Sequence, residues 1–264
     1  MSNYAKPKIL LVDIETWPIE ALVWQLYDQN VSINQIKKDW SIMAWSAKWL
    51  EKSKIYYQDV SKQRNYRDDS KILVKLWELF DEADIIVGQN SKKFDTKKIN
   101  ARFIINNIKG GQPPSTYRQE DTKQMAKQIF GFTSNRLEYM SKALALKIQK
   151  LVKREFSGQE LWNECASRNK RAWAEMKRYN IADLKSTEEL YLKLRPWATK
   201  INVNVFHKMH DNVCHCGSKE FLSYGFAYNN QGKFQRLRCK KCGAPWRIME
   251  NELSLKKRKK MMRL

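Results

Sequence analysis

The sequence has few glycines and prolines, no long apolar run and a shortage of acidic residues. Nine Gly and six Pro in 264 residues exclude a collagen-like or linker-dominated chain, and no apolar stretch approaches the roughly 20 residues that cross a bilayer. The first residues lack the apolar core of a secretory signal, so we expect a cytoplasmic protein. With 42% hydrophobic residues, the chain can bury a sizeable core, which excludes wholesale disorder.

Basic residues outnumber acidic residues by a wide margin. The 50 Lys and Arg against 28 Asp and Glu give a formal net charge of +22. Such a surplus favours a polyanionic partner, because Lys and Arg side chains that neutralise phosphates release condensed counterions. Nucleic acid is therefore the leading candidate, since an anionic membrane would favour an amphipathic anchor that is not evident in the sequence. A soluble basic protein without such a partner is the alternative.

The order of the apolar patterns predicts an α/β protein. Lys8–Glu15 is a continuous apolar run that ends in two acids, as expected of a strand buried on both faces. Further strands are predicted at Ala21–Tyr27, Ser41–Leu50, Lys54–Val60 and Ala83–Val87, which suggests a sheet of about five strands. Helices are predicted at Asp68–Phe80, Thr96–Asn107, Asp121–Phe130, Asn135–Leu146 and Lys170–Leu194. Pro196 is expected to close the last helix.

The composition divides the chain into three parts. We expect residues 1–200 to form the α/β domain, residues 205–250 a small second module and residues 251–264 a basic tail. The boundary near residue 205 is marked by the sudden concentration of cysteine and histidine beyond it. The last ten residues contain six basic side chains and no acid, so the tail is expected to be solvated or bound to an anionic partner.

Asp13 and Glu15 lie two positions apart at the end of the first predicted strand. Alternate residues of a strand leave the same face, with Cα atoms about 7 Å apart, so the two carboxylates can converge on one cation. Burying two carboxylates together is costly unless a cation offsets their repulsion. The alternative is that both acids only mark the exposed end of the strand.

Two more motifs follow downstream. Asn90 and Asp95 come after the strand Ala83–Val87, and Tyr179 and Asp183 are four apart, on one face of a predicted helix. In this order the motifs resemble the DnaQ-like branch of the RNase H-like nucleases, 3′→5′ exonucleases with four metal-binding acids, over roughly Lys8 to Pro196. The Tyr-x-x-x-Asp form resembles their DEDDy subgroup. The resemblance implies an RNase H-like mixed five-stranded sheet flanked by helices.

The resemblance also implies a two-metal mechanism. Asp13, Glu15, Asp95 and Asp183 would hold two Mg²⁺ or Mn²⁺ ions about 4 Å apart, which suits hard oxygen ligands. Tyr179 would orient the attacking water. Trp17 is either a platform on which a base stacks or a core residue. Other nucleic-acid contacts in this part of the chain are expected from Thr16, Asn90 and Arg136.

The cysteines point to a second metal site. The segments C-x-C-G at Cys214 and Cys216 and C-x-x-C-G at Cys239 and Cys242 resemble the two knuckles of a zinc ribbon, in which four thiolates would close a tetrahedral structural Zn²⁺ site. Because the first knuckle departs from C-x-x-C, His210 or His215 could replace Cys214. We expect nucleic-acid contacts from the basic residues around the second knuckle. These are Arg236, Arg238, Lys240 and Lys241.

Together these features predict a metal-dependent 3′→5′ exonuclease with a zinc-ribbon arm. Its expected substrate is a single-stranded 3′ end, with DNA favoured over RNA, and such an enzyme would suit a viral or mobile-element replication system. One alternative is an RNase H-like endonuclease or resolvase. The other is a non-catalytic zinc-ribbon protein that binds nucleic acid, in which the acids serve only as caps or surface residues.

Overall fold

The structure is a computed structural model that describes residues 6–148, 155–198, 200–206 and 212–262. His207 and His210 lie outside these residues. The chain forms two compact units, one comprising Lys8–Tyr191 and the other Leu192–Leu264 together with Met1–Pro7. No helix within the described ranges has the length and apolar character that a membrane span requires.

A mixed five-stranded sheet is the centre of the first unit, as predicted. Its order is β5-β4-β1-β6-β7, with β4 antiparallel to β1 and β5, and with β6 parallel to β1 and β7. The remaining two strands, β2 and β3, form a separate ladder. The strands are β1 (Ile9–Thr16), β2 (Glu20–Ala21), β3 (Ile36–Lys38), β4 (Ile42–Trp49), β5 (Ile55–Asp59), β6 (Ile85–Gly88) and β7 (Arg118–Asp121).

In the part of the chain that the structure describes, six helices flank this sheet, so the predicted α/β class is confirmed. They are α1 (Ser70–Glu82), α2 (Asp95–Ile105), α3 (Thr122–Ile129), α4 (Leu137–Ala143), α5 (Glu160–Ala166) and α6 (Lys170–Ala198). One set of apolar residues of α1 recurs at helical spacing and is buried: Ile72, Leu73, Leu76, Leu79 and Phe80. The residues of α6 from Leu192 onward belong to the second unit.

The two faces of the sheet bury different side chains. Leu10, Val12 and Ile14 of β1 belong to the main apolar cluster, and Trp45, opposite Ile14, donates its indole N–H to the carbonyl of Ile72 at 2.8 Å. Because side chains alternate along a strand, Asp13 and Glu15 leave the opposite face. The main apolar cluster therefore lies on one side of β1, and the candidate acids lie on the other side, which also buries Ile9 and Leu11.

Three predictions for this unit are corrected by the structure. Of the expected strand Ala21–Tyr27, only Ala21 lies in a ladder, as the last residue of β2. Trp24 and Leu26 are exposed, so the apolar pattern there has no buried face. The polar strand β7 was not predicted, because its sequence RQED shows no apolar alternation. Helix α6 continues to Ala198 past Pro196, since a proline in the last turn removes only one helical hydrogen bond.

The second unit contains a three-stranded antiparallel sheet of order β10-β9-β8. Its strands are β8 (Phe221–Asn229), β9 (Gly232–Cys239) and β10 (Pro245–Arg247), and a short helix α7 (Leu255–Lys260) lies in the basic tail. The side chain of Ser254 caps α7 by accepting a hydrogen bond from the Lys257 N–H at 3.2 Å. The side chains of α7 are exposed.

Candidate active site and metal centre

Asp13 and Glu15 lie on one face of the sheet in two rows that continue across the neighbouring strands. Ser46 of β4 is directly opposite Asp13, and Tyr57 of β5 is directly opposite Ser46. Glu15 begins a parallel row through Ala44 to Asp59. Because directly opposed residues share a face, this acid-bearing face extends from β1 to β5.

Helix α6 contacts the acid-bearing face directly. The side-chain amide of Asn180 donates a 2.6 Å hydrogen bond to Asp13, and the Ser46 hydroxyl donates to the Asn180 carbonyl at 3.3 Å. Two turns further along, Glu188 forms a shielded ion pair with Lys48 of β4. Asp183 follows Asn180 by three residues, so it lies toward the same side of the helix.

Asp95 approaches β1 from the other edge. Strand β6 pairs with β1 only as far as Leu11. Beyond that point, the Ile14 N–H donates to Asp95 at 3.2 Å. Burial raises the pKa of Asp95 to about 7, although backbone hydrogen bonds from Asp95 and Ile14 oppose the shift, and the charge of Asp121 adds to it. Asp95 is thus a buried carboxyl group that contacts β1 at Ile14, the residue between Asp13 and Glu15 in the sequence.

The loop that contains Asn90 is held by Asp121, a residue to which the sequence analysis gave no role. Asp121 accepts hydrogen bonds from the backbone N–H groups of Asn90 at 3.0 Å and Lys92 at 3.1 Å. The same carboxylate caps α3, and it is buried. Asn90 itself has a positive φ of 64°, a conformation that asparagine tolerates better than most residues. Asp121 therefore fixes the segment leading to Asp95.

Tyr179 and Thr16 are connected through Trp162. The Trp162 ring meets the Tyr179 ring edge to face, with centroids 6.5 Å apart, and its indole N–H donates to the Thr16 carbonyl at 3.1 Å. Both Tyr179 and Thr16 are partly exposed. Trp162 was not singled out in the sequence, because a tryptophan in a short helix gives no sign of the strand end that it will contact.

Tyr57 is a further side chain on the acid-bearing face. Burial is the main cause that raises its pKa, followed by the negative charge of Asp59, with smaller effects from Cys165 and Glu15. The phenol therefore stays protonated at neutral pH. The roles of Tyr57, Ser46 and Asn180 depend on contacts between strands and with α6, so spacing along the chain could not reveal them.

Trp17 is a core residue and not a stacking platform. Its side chain is only 2% exposed, its indole N–H donates to the Tyr66 carbonyl at 2.8 Å, and its ring packs against Tyr66 and Trp173. A base cannot reach a ring enclosed in this way, which corrects the nucleic-acid assignment of Trp17. Arg136, by contrast, is exposed at the start of α4.

Cys214, Cys216, Cys239 and Cys242 meet in the second unit, and their sulfur atoms all lie within 4.8 Å of one another. The sulfurs of Cys214 and Cys242 are 3.5 Å apart, and those of Cys216 and Cys239 are 3.6 Å apart. Disulfides would need about 2.05 Å, whereas a tetrahedral zinc with bonds of about 2.3 Å separates its sulfurs by about 3.8 Å. The four cysteines could therefore bind one zinc ion.

Each pair of cysteines sits in a turn closed by a glycine. The Gly217 N–H donates to the Cys214 carbonyl at 2.7 Å, and the Gly243 N–H donates to the Cys239 carbonyl at 3.0 Å. The φ angles of these glycines are 83° and 74°, which side chains with a Cβ rarely adopt. The shorter C-x-C spacing thus still forms a knuckle.

The surroundings of the cysteines favour a thiolate at one position. Burial raises the pKa of Cys239, but hydrogen bonds from the backbone N–H groups of Cys242 and Lys241, with those of the neighbouring thiols, outweigh it and bring the pKa down to about 7. Burial, followed by the charge of Arg195, lowers the pKa of His215 to about 4. His215 lies next to the quartet, with Nε2 3.8 Å from the Cys242 sulfur, but it does not belong to the four.

Among the described residues, the four cysteines are the His, Cys, Asp or Glu side chains whose ligand atoms lie close enough together to surround one metal ion. It includes Cys214, which favours Cys214 over His215 as the fourth ligand. The four acids Asp13, Glu15, Asp95 and Asp183 do not form so compact a group, although a pair of ions about 4 Å apart takes ligands from a wider span than one ion does.

No family model matches the chain, and no curated protein matches it. Solved structures that match include the family B DNA polymerase from the hyperthermophilic archaeon Pyrobaculum calidifontis, with 18% sequence identity and a TM-score of 0.52. The match covers 73% of this chain and 25% of the polymerase, so the chain spans about a quarter of that protein's length. At this identity, the match shows a shared fold only.

Proposed function

We propose that this chain is a metal-dependent 3′→5′ exonuclease that hydrolyses the phosphodiester bonds of DNA from a single-stranded 3′ end. The observation that carries the proposal is a pair of long-range hydrogen bonds at the end of β1. Asp95 accepts from Ile14, 81 positions away, and Asp13 accepts from Asn180, 167 positions away. All three acidic motifs of the sequence thus have a residue fixed at the same strand end.

The residues around this strand end suit phosphodiester hydrolysis. A phosphodiester resists nucleophiles because of its own negative charge, and two Mg²⁺ or Mn²⁺ ions would neutralise that charge and activate water. Asp13, Glu15, Asp95 and Asp183 would hold the ions through oxygen ligands. Tyr179 would hydrogen-bond to the attacking water and orient it. Asn180 would keep the Asp13 carboxylate in position.

The charge and the fold comparison support nucleic acid as the substrate. A net charge of +22 attracts phosphates at long range, and one of the solved chains that share the fold is a DNA polymerase. Thr16, Asn90 and Arg136 would contact the strand near the acids. In the second unit, a structural Zn²⁺ on the four cysteines would support a nucleic-acid-binding arm that includes Arg236, Arg238, Lys240 and Lys241.

The decisive test uses linear and circular single-stranded DNA, labelled at the 5′ end where an end exists, with Mn²⁺ as the only added divalent cation. Linear DNA should lose mononucleotides from its 3′ end, so the 5′-labelled strand should shorten step by step, and the circle should stay intact. The same assay with RNA of the same sequence shows whether the enzyme prefers deoxyribose or ribose in its substrate. Glu15→Gln should reduce turnover more than about 100-fold, because it removes a metal ligand.

Glu78→Gln is the matched control, since it makes the same change on the exposed surface of α1. Its activity should equal that of the wild type. Tyr179→Phe should slow the reaction and leave substrate binding nearly unchanged. Cleavage of the circle would favour an endonuclease or resolvase, and tight binding without turnover in Mn²⁺ would favour a non-catalytic binding protein.

A further inference from the structure

One face of the sheet in the second unit presents three arginines. Arg238 of β9 is directly opposite Leu222 of β8, and Arg236 of β9 is directly opposite Arg247 of β10. Phe234, Arg236 and Arg238 alternate along β9, so they share a face. We call this surface the arginine face. It comprises Leu222, Tyr224, Phe234, Arg236, Arg238 and Arg247.

Tyr224 of β8 also lies on the arginine face, two residues after Leu222 and next to a break in the register. The pairing shifts between Ser223 and Phe226, and Gly225 in this bulge has a φ of 76°. The Tyr224 ring centroid lies 4.6 Å from the guanidinium carbon of Arg238 and 5.2 Å from that of Arg236. Arg236 also donates to the Tyr224 carbonyl at 3.1 Å. Both guanidinium groups therefore lie near the ring, and Tyr224 is 52% exposed.

The charges on the arginine face are not balanced locally. Residues 221–247 contain six basic side chains and no acidic one. In the part of the chain that the structure describes, none of the three arginines forms an ion pair. Like charges placed directly opposite each other, as in Arg236 and Arg247, destabilise a sheet. An anion bound on this face would remove that cost.

We propose that the arginine face binds single-stranded nucleic acid, with the three arginines on successive phosphates and one unstacked base on the Tyr224 ring. An exposed ring flanked by guanidinium groups suits a base, because every base has a π-face. The bases of a duplex stay stacked on one another, so a duplex would contact the arginines but not the Tyr224 ring. The inference deepens the proposed function and rests on it, since the strand bound here would be the strand that the nuclease degrades.

The test measures binding of the full-length, zinc-loaded chain to a labelled oligonucleotide by fluorescence anisotropy, without added Mg²⁺ or Mn²⁺ and without chelator. Turnover is assayed separately, so a failed nuclease assay leaves the binding result interpretable. Tyr224→Leu should weaken binding of single-stranded DNA or RNA about tenfold, and Tyr224→Phe should retain it. Combined Arg236→Gln and Arg238→Gln should lower the slope of log Kd against log salt by about 1.4, which is two phosphate contacts.

The opposite face of the same hairpin supplies matched controls. Tyr228 is 73% exposed and lies directly opposite Lys233. Tyr228→Leu therefore removes an aromatic ring, and Lys233→Gln a positive charge, on the face opposite the arginine face. Both should leave binding within about twofold, and the zinc content of every variant verifies that the hairpin is folded. Equal losses from the two faces would overturn the proposal. Equal affinity for single-stranded and duplex DNA, with no effect of Tyr224→Leu, would also overturn it. So would displacement of the oligonucleotide by an acidic peptide of the same charge.

Discussion

The four cysteines and the acid-bearing face are assembled over very different distances in the sequence. Cys214 and Cys242, the outer members of the quartet, are 28 positions apart, whereas Asp13 and Asn180 are 167 positions apart. The cysteines lie in two short turns, one before β8 and one between β9 and β10. The acids belong to a strand end, a helix start and a long helix that meet only because a five-stranded sheet is in place. We therefore expect the cysteine site to depend on a bound metal for its stability, and the residues at the strand end to depend on the core beneath them.

The largest expected effect tests this dependence on metal. Cys242→Ser should abolish stoichiometric zinc binding and unfold the second unit, because a small module obtains much of its folding free energy from the metal, about 10–16 kcal/mol in zinc-finger peptides. The first unit should keep its own cooperative transition. Calorimetry and atomic emission measure the two outcomes.

Cys165→Ser is the control for this experiment. Cys165 is buried in the first unit, where burial is the main cause that raises its pKa to about 12. The substitution should therefore leave the zinc content at one per chain. Full zinc retention by the Cys242→Ser variant would mean that the quartet is not the site.

A smaller effect is expected where the first unit is held by a buried carboxylate. Asp69 accepts two hydrogen bonds from Arg102, both at 2.7 Å, one from Asn106 and one from the backbone of Ile42. Asp69→Ala leaves the Arg102 charge without its buried partner, so the free energy of unfolding should fall by about 3–5 kcal/mol.

Urea unfolding of the first unit measures this change, and the zinc content should not alter. Glu82→Ala is the matched control, because it removes an exposed ion pair with Lys8 that contributes at most about 1 kcal/mol. Similar losses from the two variants would argue against a special role for the Asp69 cluster.

The smallest expected effect concerns the buried acid of the candidate active site in the metal-free protein. The pKa of Asp95 is raised from 3.8 to about 7, so its ionised form is disfavoured in the folded state. Below pH 3.8 the group is protonated in both states and has no cost. The free-energy cost of burying the ionised Asp95 carboxylate grows between pH 3.8 and 7 and reaches its full size above that range.

Asp95→Asn should therefore stabilise the metal-free protein by about 2–4 kcal/mol at pH 8 and have little effect at pH 4. Denaturant unfolding at the two pH values measures the difference. Destabilisation at pH 8 would mean that the hydrogen bond from Ile14 to the carboxylate outweighs the cost of burial.

Local patterns predicted much of the fold and part of each site. The apolar run before Asp13, the helical spacing of α1 and the paired cysteines all form what their spacing predicts. The polar strand β7 and the exposed Ala21–Tyr27 segment were missed or misread, because burial of these segments depends on neighbours from other parts of the chain. Trp17 shows the same limit, since an aromatic residue after an acidic motif has no local feature that separates core from surface.

The sequence by itself determined which side chains share a strand face or a turn, because covalent geometry sets the spacing of neighbours. It therefore specified that Asp13 and Glu15 emerge together and that two cysteine knuckles can form. Only the tertiary structure decided that Asn180 meets Asp13, that Asp121 holds the loop before Asp95 and that Tyr224 lies beside two arginines. These contacts arise from packing between segments far apart in the chain, and no local rule of spacing encodes that packing.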